Sequence, residues 1–132
     1  MLKYIPPPLL GEAWPIILPG LEKVTAHSFD HDLPEQIRLA CVSGIAHLFV
    51  AFGPEYRGFA VLRPEQNPTG TRGMHIWAAY SENSGLDERL AEIEELAREG
   101  GFQQVTFSSP RKGWARRLKE YQPTYQIYRK VL

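Results

Sequence analysis

The sequence predicts one α/β (α+β) domain spanning residues 1–132, with a single mixed, mostly antiparallel sheet flanked by about four helices. Three observations carry that expectation. Short β-branched and aromatic runs follow one another between residues 46 and 80 with turn signals between them. Leu86, Leu90, Ile93 and Ala97 then recur at helical spacing before Gly100-Gly101. After that stop the pattern changes to strand, helix and strand, which asks for a βα crossover beside an antiparallel meander.

Taken in order, Tyr4 to Leu10 has extended or polyproline character, because Pro6, Pro7 and Pro8 fix φ and remove three backbone donors. A short edge strand can end there. Trp14, Ile17, Leu18, Leu21 and Val24 follow helical spacing, with Pro15 in the first turn and Pro19-Gly20 interrupting the middle, so a broken helix is expected over 14–25. Asp32 near the cap, Pro34 and Glu35 in the first turn, and Ile37, Cys41 and Val42 on one side predict a second helix ending at Gly44.

Ala46 to Phe52 and Gly58 to Pro64 flank Gly53-Pro54 and predict a hairpin. An exposed loop over Glu65 to Gly73 leads to a third strand, Met74 to Tyr80. Beyond the long helix, Val105 to Ser108 reads as a strand, Lys112 to Glu120 as a helix and Tyr125 to Val131 as a closing strand.

Composition narrows the function classes. Hydrophobic residues make up 43% and charged residues 23% of the chain, as in ordinary globular proteins, which argues against disorder. Fifteen Lys plus Arg balance fifteen Asp plus Glu, so no overall field gathers nucleic acid or anionic lipid. The single cysteine, Cys41, sits in an apolar pattern and reads as a buried small hydrophobe in a reducing compartment. No run approaches the roughly 18 apolar residues of a membrane span, and prolines interrupt the opening segment, so a cytoplasmic protein without a membrane partner is expected.

There is no Walker loop, no GxGxxG after a strand and no GxSxG elbow. His27, Asp30, His31 and Asp32 have metal-ligand side chains, but no distant motif supplies a further ligand, so no metal is expected and Asp32 reads as a helix cap. Arg111, Lys112, Arg116, Arg117 and Lys119 form the one concentrated basic segment, with Trp114 among them. It could grip phosphates of a cofactor or of nucleic acid, and as a solvated helix face with Trp114 in the core it needs neither. Ser84, with Asp87 three residues on, reads as a helix cap in a capping-box arrangement.

The order of elements, and the stretch from Met74 to Phe107 in particular, resembles the GNAT (acyl-CoA N-acyltransferase) family over nearly the whole chain. It also resembles small GNAT-like proteins of tailed bacteriophages and prophages, where a strand like MHIWAAY precedes a long acidic helix and a segment like FSSPRKGW. The resemblance implies acetyl-CoA or another acyl-CoA as cofactor. Its pantetheine would lie along Trp77, Ala78, Ala79 and Tyr80, and its pyrophosphate at Ser81, Ser84, Gly85 and Leu86, with Arg111 as a further phosphate ligand. It also implies Ser109 and Tyr121 near the thioester, and His75 or Glu82 as the base that deprotonates the acceptor amine.

The turn Ser81 to Glu88 keeps one glycine and two hydroxyls, carries no basic residue, and places Glu82, Asp87 and Glu88 where a phosphate would sit. That composition supports a second expectation, a non-catalytic interaction module on a degenerate GNAT fold. Its partner would be a virion component or a host protein, and its exposed tail carries Tyr121, Tyr125 and Tyr128. An open groove beside the central strand favours the first expectation, and one closed by Trp77, Phe107 or Trp114 favours the second. The acceptor amine and the oligomeric state have no signature in the sequence.

Overall fold

A computed structural model describes residues 1–26, 28, 33–109, 113–124 and 127–132. Five strands form one sheet in sequence order: β1 (Leu2–Ile5), β2 (His47–Phe52), β3 (Tyr56–Gln66), β4 (Arg72–Ser81) and β5 (Gln104–Phe107). The first four pair antiparallel and β5 pairs parallel to β4, as the crossover through the long helix requires. Helices α1 (Leu10–Thr25) and α2 (Leu33–Ser43) cover one face, and α3 (Leu86–Glu99) covers the other.

Each face has its own core. Ile17 and Leu21 of α1 and Ile37 and Cys41 of α2 meet Leu48, Val50, Phe59 and Val61. Leu90, Ile93 and Ala97 of α3 meet Leu2, Ala51, Ala60, Leu62, Met74 and Ile76. Strand alternation divides β2 and β3 between the two, and each fully buried aliphatic side chain stabilises by about 1.5–3 kcal/mol. Burial also pushes the Cys41 thiol up to about 11, so it is an unreactive packing group.

Five expectations change. The first helix is unbroken and starts at Leu10, with both prolines inside it. Pro15 and Pro19 are both exposed, so the carbonyls they leave unbonded, four residues earlier, lie on the wet side, while Leu10, Ala13, Trp14, Ile17, Gly20 and Leu21 pack inward. The expected loop over 65–73 shrinks to a turn at residues 67–71, in which Asn67 Oδ1 accepts from the amides of Thr69 and Thr71. Pro64 is accommodated inside β3 because β2 ends at His47, opposite Leu62, leaving Pro64 with a neighbour on the β4 side only.

Ser84 does not cap α3. The helix N-cap is Gly85, no side chain bonds there, and Asn83 and Ser84 both adopt left-handed backbone, with φ of 56° and 61°. A short 3-10 turn over Glu82–Ser84 reverses the chain so tightly that the Ser84 hydroxyl is not placed over the first turn. Finally, the helix expected over 112–120 is the single turn α4 (Trp114–Arg117), and residues 127–132 carry no strand. Asp32, His27, Asp30, His31, Arg111, Lys112 and Tyr125 lie outside the described residues, so the metal-type run, the Asp32 cap and the Arg111 phosphate contact do too.

Candidate functional site

The site grows from an irregularity in β4. Val61 pairs with Ala78 but Leu62 pairs with Ile76, so Trp77 is an extra residue on β4, a β-bulge. Its effect is visible in the cores. Met74 and Ile76 belong to the α3 core, whereas Ala78 and Tyr80 pack with α1 and α2, so even-numbered residues change face at the bulge.

The parallel ladder with β5 stops at the same place. It joins Gly73 to Gln104, Met74 to Val105, His75 to Thr106 and Ile76 to Phe107, and β4 then continues through Trp77, Ala78, Ala79, Tyr80 and Ser81 without a β5 partner among the described residues. Backbone groups along such a strand edge can bond an extended ligand. The strand feeds directly into the turn and then α3, whose first-turn amides have no side-chain cap. An inner strand delivering a chain of backbone donors and then a helix N-terminus suits an extended, phosphate-bearing ligand.

Opposing charges in the turn are partly neutralised. Tyr80 Oη donates to Glu82 Oε2 at 3.0 Å, and Glu88 Oε1 lies 3.3 Å from Arg89 Nη2. A Cβ at Gly85 would come within 2.7 Å of Ser81 Oγ, so a larger residue there would turn the Ser81 hydroxyl aside. On the far side of α3, a recess of about 300 Å³ opens between Asp87, Leu90, Ala91 and Glu94 and the segment Arg117 to Tyr121. Phe107, Trp114 and Tyr121 gather at the end of β5, with ring centroids 5.4 and 5.6 Å from Phe107.

The proposed catalytic residues are not brought into one cluster. His75 follows the alternation to the face opposite Met74, where its Nδ1 bonds with Thr106 Oγ1 at 2.8 Å and lies 3.9 Å from Glu65 Oε2. Burial lowers its pKa, Glu65 opposes that shift, and Arg63 adds to it. Tyr121 is on the α3 face instead, donating to Glu94 Oε2 at 2.8 Å, and burial followed by that carboxylate raises its pKa. Glu82 opens the 3-10 turn beyond the strand, seven residues and roughly 20 Å of chain from His75. Ser109 lies two residues past β5 and is exposed.

Sequence reasoning missed Arg63, whose guanidinium lies 4.9 Å from the Trp77 ring, and Thr106. The signal for both was register, which periodicity alone does not supply. Of the groove's three named aromatics, Trp77 packs toward α1 and α2 while Phe107 and Trp114 lie together by β5, so the bulge separates them.

No protein-family model matches the sequence, and no curated protein resembles it in sequence. Solved structures do resemble it in fold. A probable acetyltransferase matches with a TM-score of 0.70 and 14% identity, over 100% of this chain and 97% of that one. The ribosomal-protein-alanine N-acetyltransferase of Brucella melitensis biovar Abortus 2308 matches at 0.68 and 16%, over 100% and 99%. An aminoglycoside acetyltransferase from an uncultured soil metagenomic sample, in complex with trehalose, matches at 0.68 and 11%, over 100% and 96%. The chain therefore has the GNAT fold. Identities this low carry the architecture and leave the activity to the site. Among the described residues no helix is long and apolar enough to cross a membrane, and no cluster of His, Cys, Asp and Glu could hold a metal.

Proposed function

We propose that this protein is an acyl-CoA-dependent N-acyltransferase of the GNAT type, similar to those of phages and prophages, moving an acyl group from the thioester to an amine. The observation that carries this reading is the Trp77 bulge coinciding with the end of the β4–β5 ladder, immediately before an uncapped helix N-terminus. Pantetheine would bond along the free edge of Trp77 to Tyr80, and the pyrophosphate would meet Ser81, Gly85 and the α3 amides, with Ser84 at the rim and Leu86 packing beneath.

His75 is the best-placed base. Its lowered pKa keeps the imidazole neutral at pH 7, and if Nδ1–H donates to Thr106, Nε2 keeps the lone pair that can take a proton from the incoming ammonium. The free amine attacks the thioester carbon, and the C–S bond breaks as the amide forms. The nitrogen sheds its second proton as the coenzyme A thiolate takes one up, and Ser109 and Tyr121 are the hydroxyls that the family resemblance offers for relaying it. For Tyr121 to serve, it must exchange its bond to Glu94 for one to the sulfur.

A second reading, a non-catalytic interaction module for a virion or host protein, draws on Glu82, Asp87 and Glu88 around the phosphate position and on the exposed apolar side chains of Ile127, Tyr128 and Val131. One experiment separates the two. Isothermal titration with acetyl-CoA should give saturable heat, and a thiol-release assay with amine acceptors should give turnover that Trp77 deletion removes. Absence of both heat and released thiol overturns the acyltransferase reading and leaves the module.

A further inference from the structure

His75 Nδ1 bonds with Thr106 Oγ1 at 2.8 Å, but a threonine hydroxyl can accept from an Nδ1–H or donate to a bare Nδ1. Thr106 of β5 therefore engages Nδ1 and leaves Nε2 open without deciding which nitrogen carries the hydrogen. That choice matters for a base. Only a neutral imidazole with its hydrogen on Nδ1 offers a lone pair at Nε2.

Glu65 of β3 cannot serve both ways. Its Oε2 lies 3.9 Å from His75 Nδ1, and a carboxylate only accepts. At that separation the contact is electrostatic rather than a hydrogen bond, so an N–H on that side of the ring is attracted and a lone pair there is repelled. The His75 side chain is 13% exposed, and water screens this field only in part. Glu65 is itself held in place. Its other oxygen, Oε1, accepts from Arg63 Nη2 at 3.1 Å, and the Arg63 guanidinium rests 4.9 Å from the Trp77 ring. Trp77 is the bulge residue, so Arg63 and Glu65 connect the irregularity in β4 to the base two residues earlier on the same strand. Among the described residues, Glu65 and Arg63 are the charged groups that act on the imidazole, and they act in opposite senses. We propose that Glu65 is a positioning residue for His75: its carboxylate keeps the ring hydrogen on Nδ1, leaves the Nε2 lone pair for the acceptor ammonium, and offsets the positive charge the ring gains on taking that proton.

This role rests on the acyltransferase reading, whereas the hydrogen's place on the ring is measured without coenzyme A. Imidazole nitrogen NMR shifts of the full chain report the tautomer directly, with the His75 signals assigned by their loss in His75→Gln. The neutral ring of the wild type should carry its hydrogen on Nδ1. Thr106→Val should keep it there. Glu65→Gln, whose amide donates as well as accepts, should populate both tautomers and lower the pH at which the ring takes up its proton. With acetyl-CoA and an amine acceptor, Glu65→Gln should lower kcat by roughly ten-fold while the heat of acetyl-CoA binding stays as in the wild type. The proposal is overturned if the wild-type hydrogen sits on Nε2, if Thr106→Val moves it there, or if Glu65→Gln leaves the tautomer and the titration unchanged. Unchanged turnover in Glu65→Gln overturns it as well. A wild type that gives no heat with acetyl-CoA sinks the acyltransferase reading instead, and the nitrogen spectra still decide whether Glu65 places the hydrogen.

Discussion

His75 and Thr106 face each other across the parallel ladder of β4 and β5, and their side chains are joined at 2.8 Å within one of its four residue pairs. The bond holds the imidazole against β5 and fixes which nitrogen is left for chemistry.

Because burial lowers the pKa of His75, the unfolded chain takes up this proton more readily than the folded one. The contribution to stability is present above the ordinary histidine value of about 6.5 and is lost as pH falls through the lower folded value. Urea unfolding at pH 7.5 and at progressively lower pH should show that loss, and His75→Gln should flatten it. In the acyltransferase reading the same titration sets the acidic limb of the rate. A pH–rate profile unchanged by His75→Gln would remove the residue from the mechanism.

Tyr80 is held between two glycines in different ways. At Gly20 a Cβ would lie 2.6 Å from the Tyr80 ring, and at Gly58, where φ is +153°, it would collide with the Tyr80 carbonyl oxygen. Gly20→Ala should cost about 1–3 kcal/mol and Gly58→Ala about 2–4 kcal/mol. A double-mutant cycle distinguishes the causes. Tyr80→Leu should relieve most of the Gly20→Ala cost and little of the Gly58→Ala cost, since only the first clash is with a side chain.

Deleting Trp77 should leave a folded protein. Without it, Ile76 and Ala78 become consecutive opposite Leu62 and Val61, and both keep the faces they now occupy. Circular dichroism should stay native-like, while heat from acetyl-CoA should fall by roughly ten-fold or more in apparent affinity. Retained binding would detach the cofactor from the bulge.

The bond from Tyr121 to Glu94 ties the segment after β5 to α3. Tyr121→Phe should cost about 1 kcal/mol and speed limited proteolysis after residue 117. The raised tyrosine pKa gives the wild-type contact a further signature. Its stabilisation is complete below the ordinary phenol value of about 10 and fades only as pH climbs through the higher folded value. Phe at 121 should abolish that alkaline dependence.

Much of the fold was legible in the sequence, because Leu86, Leu90, Ile93 and Ala97 announce α3 and the runs between 46 and 80 announce a meander. Local pattern could not reveal that Pro15 and Pro19 share an exposed side, since that depends on where the sheet lies. The strand holding the candidate site was found, but its bulge was not, because Trp77 is extra only relative to the register of β3. Arg89 escaped for a similar reason. It reads as one of two cations on an acidic helix, and its burial depends on α3 docking against the sheet.

The gapped wet side of α1 has a consequence for how the protein comes apart. A helix lacking two internal donors gains little from growing along its own axis, so its persistence depends on Ile17 and Leu21 staying seated on the strands. Amide exchange in that segment should accordingly rise and fall with the sheet beneath it as one unit, rather than progress inward from frayed ends.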